Sequence, residues 1–179
     1  MNRDTILIFE DNAIDREILV ELFRSEYKIL EAENGRAGIA LLKDNIASIA
    51  VVLLDNLMPV MDGFKVLEHL KEKNILNRIP FIMITSENSH DVERKGYEYG
   101  IVSYITKPYQ PDVVRQVVRN AIGWFQYKMQ LEMMVKKQNI NIQKQNSMLK
   151  QQAKKLNHIN EILIDSMSNI VEFRNMESK

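Results

Sequence analysis

Three acids, a hydroxyl and a lysine stand at the ends of apolar runs in this 179-residue chain. Glu10 and Asp11 follow TILIF, Asp55 follows IAVVLL, Thr85 closes PFIMIT, and Lys107 follows IVSYIT. Carboxylates gathered in one place repel each other unless a cation joins them. Hard oxygen donors suit Mg²⁺, which takes one or two carboxylates directly and keeps several waters. Beside such a cation Asp55 stays ionised and can attack phosphorus, forming an aspartyl-phosphate. The phosphoryl oxygens then need neutralising, and Lys107 and Thr85 are residues of the right type for that work. In isolation Asp55 reads as a turn or capping acid; the other residues give it a chemical reading.

The elements that must position these residues alternate along the chain. TILIF (5–9), YKILEA (27–32), IAVVLL (49–54), PFIMIT (80–85) and IVSYIT (101–106) read as strands. Amphipathic stretches at about 14–26, 36–46, 63–73 and 89–100 read as helices, the last ending at Gly100, and Pro111 is placed to open a fifth. Strict alternation predicts a parallel sheet with helices on both faces and right-handed crossovers. Doubly wound sheets bind ligands at the carboxyl ends of their strands, which is where the five chemical residues fall. Asp62-Gly63 reads as a turn and a helix start.

These motifs and intervals resemble the receiver domains of bacterial two-component response regulators, over about residues 3–125. Glu10-Asp11 correspond to the family's acidic pair, Asp55 to its phosphoacceptor, and Met58-Pro59 and Asp62-Gly63 to the turn that follows. Thr85 corresponds to the switch hydroxyl, Tyr104 to the switch aromatic, and Lys107-Pro108 to the lysine and cis-peptide proline. The resemblance implies a flavodoxin-like sheet of strand order 2-1-3-4-5. It also implies Mg²⁺ held by Asp11, Asp55 and the backbone carbonyl of Leu57, with Glu10 acting through water. A sensor histidine kinase or a small phosphodonor would supply the phosphoryl group. Glu at position 10, where Asp is commoner, and Asn56 and Ser86 are mild departures that keep the chemistry.

Beyond the receiver the helix does not stop. No proline follows Pro111, and Gly123 is the only later glycine. Apart from Lys128, apolar residues recur at seven-residue intervals from Val114 to Ile170, with companions at Val117, Trp124, Leu131 and Ile159. This pattern predicts a parallel two-stranded coiled coil, hence a homodimer, whose seam is weakened by Gln138, Gln145 and Gln152. The expected organisation is a receiver over 1–125, a coiled-coil signalling helix over 126–160, and the start of an output domain over 161–179. The last stretch resembles the entry to an HD-GYP phosphohydrolase without its metal-binding core, so the chain reads as a fragment of a longer protein. A receiver-like scaffold that dimerises without phosphorylation is the alternative.

Composition agrees with these assignments. The chain has no cysteine, which favours a reducing, cytoplasmic setting and excludes a thiolate metal site. Its longest apolar run is too short to span a bilayer, and the N-terminus has no signal-peptide pattern. Zero net charge divides into an acidic part, with 15 Lys/Arg against 19 Asp/Glu over 1–127, and a basic part, with 9 against 5 over 128–179. The basic part has Phe173 as its only aromatic and Arg174 as its only arginine, so nucleic-acid binding is not expected. His69, His90 and His158 lie too far apart for a shared metal.

Overall fold

The computed structural model describes residues 3–86 and 90–177, with side chains described through residue 167. Five strands alternate with five helices: β1 (Thr5–Phe9), α1 (Ala13–Phe23), β2 (Lys28–Ala32), α2 (Gly35–Asn45), β3 (Ile49–Asp55), α3 (Gly63–Glu72), β4 (Phe81–Thr85), α4 (His90–Tyr99), β5 (Ser103–Thr106) and α5 (Pro111–Glu177). The strands form one parallel sheet in the order β2-β1-β3-β4-β5, as the alternation and the resemblance imply. The chain divides into two units, 1–128 and 129–179.

In the first unit the sheet separates two apolar layers. One joins Leu7, Phe9, Val52 and Leu54 to α2 and α3 through Ile39, Leu42, Val66 and Leu70. The other joins Ile6, Ile8, Val51 and Leu53 to α1 and α5 through Leu19, Phe23, Val114 and Val118. β1, β3 and β4 are buried along their whole length, which explains their unbroken apolar runs. Edge strand β2 is partly exposed and carries Lys28 and Glu31.

Two boundaries differ from the sequence reading by more than one residue. β5 begins at Ser103 rather than 101. Gly100 takes a left-handed conformation (φ 102°) and its N–H donates to Gly96 and Tyr97. Ile101 still closes onto the end of α4, its N–H donating to Gly96, so the ladder with β4 starts two residues later. α1 ends at Phe23 rather than 26, and Tyr27 N–H donates to Phe23 O in the connection to β2. The expected helix start at residue 89 lies outside the described residues.

α5 has a buried stripe inside the first unit. Val114, Val118, Ala121, Ile122 and Phe125 are buried, whereas Val113 and Trp124 are exposed. The heptad positions Val114 and Ala121 are therefore taken up by the receiver's own core. From Leu131 onward the positions of the same repeat, including Val135, Ile142, Leu149, Leu156 and Leu163, are exposed. No described helix is long and apolar enough to cross a membrane.

Candidate functional site

The acidic pair is fixed by the chain on either side of it. Glu10 N–H donates to Ala32 O of β2 at 3.0 Å, extending the sheet one residue past β1. Asn12 then caps α1, its side chain accepting from Ile14 N at 2.9 Å and Asp15 N at 3.2 Å. Arg16 donates back to the carbonyls of Glu10 (2.8 Å) and Asp11 (3.4 Å) and is itself anchored by Glu31 at 3.2 Å. The loop that carries two acids is thus held rigid by a cation that does not touch their carboxylates.

Asp55 is the last residue of β3 and is buried. Asn56 N–H donates to Ile84 O, and Gly63 N–H donates to Asn56 O, each at 3.0 Å. A Cβ at position 63 would lie 2.6 Å from the Asp55 carbonyl oxygen, so glycine is required where the chain returns over the strand end. Val60, inside that return, has φ 67°. Asp62 caps α3 by accepting from Lys65 N at 2.9 Å, the structural role expected of the Asp-Gly pair. Lys107 follows β5, and its N–H donates to Thr85 O at 2.7 Å, tying the lysine to the end of β4; its bond to Pro108 is cis.

These elements bring one carboxylate oxygen each from Glu10, Asp11 and Asp55 within 4.8 Å of one another. Lys107 Nζ lies 2.8 Å from Glu10 Oε2, 2.9 Å from Asp15 Oδ2 and 3.5 Å from Asp55 Oδ2. Thr85 is fully buried at the neighbouring strand end. Tyr104 lies two ladder positions earlier, opposite Met83 rather than at the acids, and packs against the α2/α3 layer. The Leu57 side chain is half exposed just beyond Asp55.

Asp15 and Arg16 belong to the site and were not singled out from the sequence. Their signal was present in EDNAIDR, an acid and a base in the first turn after the acidic pair. An acid there has an ordinary explanation in the helix dipole, which masks its second use.

Burial sets the electrostatics. It pushes the Glu10 carboxyl up to about 7; Lys107 opposes this through a hydrogen bond, and Asp55 reinforces it. Burial also raises Asp55, against Lys107 and the backbone N–H groups of Leu57 and Asn56. For Lys107 burial works against the charged form, but its hydrogen bonds to Glu10 and Asp15 and the charge of Asp55 hold it above the usual lysine range. Tyr109 is raised to about 12 by burial and by Asp15, so its hydroxyl keeps its proton. Four carboxylates around one ammonium leave an excess of negative charge. The donor set is all oxygen, and a hard divalent cation fits it.

Fold and site together define a doubly wound, flavodoxin-like α/β protein with an acidic pocket closed by a lysine at the carboxyl ends of its strands. Residues 6–119 match the family model described as the response regulator receiver domain, and the chain belongs to that family. Among curated relatives, the phosphate regulon transcriptional regulatory protein PhoB of Pseudomonas aeruginosa is 37% identical over 108 residues, covering 60% of this chain and 46% of that protein. The transcriptional regulatory protein ResD of Bacillus subtilis is 38% identical over 118 residues, covering 65% and 46%. The match takes up less than half the length of these relatives, and 9% of Histidine kinase P4 of Formosa agariphila, which is 33% identical over 120 residues, 67% of this chain. CheY in the CheX-CheY-BeF3-Mg complex of Borrelia burgdorferi superposes with TM-score 0.61 at 26% identity, covering 65% of this chain and 87% of that one.

Proposed function

We propose that this chain is the phosphoryl-accepting switch of a two-component pathway and that Asp55 is the acceptor. The observation that carries this reading is the convergence of Glu10, Asp11 and Lys107 on the buried carboxylate of Asp55. An Asp55 oxygen attacks the phosphorus of a phosphohistidine on a sensor histidine kinase, or of a small phosphodonor. The new O–P bond forms as the donor's bond to phosphorus breaks, and the donor keeps that electron pair. Lys107 neutralises one phosphoryl oxygen and Thr85 donates a hydrogen bond to another. Asp11, Asp55 and the Leu57 carbonyl, with Glu10 through water, are the residues to hold Mg²⁺. Bound there, the ion neutralises charge on the phosphoryl oxygens. The Borrelia neighbour, solved with BeF3 and Mg, supports the reading.

The placement of Thr85 and Tyr104 on adjoining strands supports a switch between them. A phosphoryl group on Asp55 draws Thr85 toward it, Tyr104 repacks, and the surface of α4, β5 and α5 changes. The exposed heptad residues of the second unit support a parallel homodimer that relays the change. The output is an HD-GYP-type phosphodiesterase acting on cyclic di-GMP, a reading that rests on the sequence of residues 160–179; their side chains beyond 167 lie outside the described residues. The deciding experiment is binding of beryllofluoride with Mg²⁺, which the wild type is expected to show and Asp55→Asn to lose. Equal binding by the variant would remove Asp55 from its role.

A further inference from the structure

The lysine that must reach a phosphoryl group is already engaged elsewhere. Lys107 has three N–H bonds, and its short contacts are to Glu10 and Asp15 (2.8 and 2.9 Å), while Asp55 stands at 3.5 Å. A phosphoryl group on Asp55 places new anionic oxygens beyond that carboxylate, so Lys107 has to give up an existing partner to reach them. Glu10 is 1% exposed, so bulk solvent cannot take the place of Lys107 there. The Asp15 side chain is 33% exposed and can take water in exchange. Asp15 is the partner released.

We infer that Asp15 is a positioning residue that restrains the switch: by engaging an N–H of Lys107 that a phosphoryl oxygen would need, it lowers the affinity of the site for a phosphoryl group. The inference rests on the reading of Asp55 as the acceptor. It adds a control that lies outside the acids closest to Asp55.

Titration of the whole chain with beryllofluoride at saturating Mg²⁺, followed by calorimetry or fluorine NMR, tests this. Asp15→Asn keeps the shape and removes the charge, and should bind roughly three- to tenfold more tightly. Asp15→Glu keeps the charge and should stay near wild type. Should Asp15→Asn fail to fold, Asp15→Ser serves the same comparison. Unchanged or weaker binding by Asp15→Asn or Asp15→Ser, in a protein whose binding is abolished by Asp55→Asn, overturns the restraint and leaves the acceptor standing. Binding that survives Asp55→Asn overturns the acceptor reading instead.

Discussion

At the scale of single residues, the site depends on close approach as much as on charge. Gly63 lets the chain pass over the end of β3, where any side chain would meet the Asp55 carbonyl oxygen at 2.6 Å. That oxygen is backbone and cannot swing aside as a flexible side chain would. Gly63→Ala is therefore expected to cost about 2 kcal/mol in urea unfolding. It should also weaken beryllofluoride binding, because the relief available is a shift of the acceptor residue itself. Loss of stability with unchanged binding would show that the strand end yields without disturbing the carboxylate.

At the scale of elements, three loops at the carboxyl edge end in a side-chain cap that starts the next helix: Asn12 for α1, Asn34 for α2 and Asp62 for α3. Asp62 also pairs with Lys65 at 2.8 Å. Burial alone would raise its carboxyl, but the hydrogen bonds from the Lys65 side chain and backbone hold it below the usual carboxylate range. Because the folded value is the depressed one, this stabilisation is present above the unfolded value and is lost as the pH falls through the folded one. Asp62→Ala should cost about 1 kcal/mol at neutral pH, and the gap from wild type should narrow below roughly pH 4. Asp62→Asn keeps a cap without the charge, so most of the neutral-pH stability should return in urea titrations. A gap that stayed constant down to pH 3 would show that the charge has no part in it.

For the whole molecule, the long helix changes task along its length. Val114, Val118 and Phe125 are buried by the receiver's own sheet, whereas Leu149, Leu156 and Leu163 are exposed on a helix that cannot bury them alone. A second copy of the chain is the proposed partner, with Gln138, Gln145 and Gln152 interrupting the seam. Replacing all three by Leu should tighten the dimer more than tenfold, since each apolar side chain removed from water contributes about 1.5–3 kcal/mol. Sedimentation over a range of concentrations measures this. An unchanged association constant would place those residues off the seam. The tightened dimer should also respond less to beryllofluoride, because a relay works only while its two states lie within a few kcal/mol of each other.

The sequence alone determined the alternation of elements, the parallel sheet, and the strand ends on which Glu10, Asp11, Asp55, Thr85 and Lys107 stand. Buried strands write themselves as unbroken apolar runs, and the residue after such a run is at the rim by construction. The β5 boundary was illegible because Ile101 is as apolar as a strand residue while its N–H serves the exit of α4. Tertiary structure decided which charges meet. Asp15 and Lys107 are 92 residues apart in sequence, and their 2.9 Å contact exists only because β1 and β5 deliver their loops to the same edge. Tertiary structure also decided that Val114 and Ala121 belong to the core rather than to a seam, since periodicity shows that a helix has an apolar face and not what covers it.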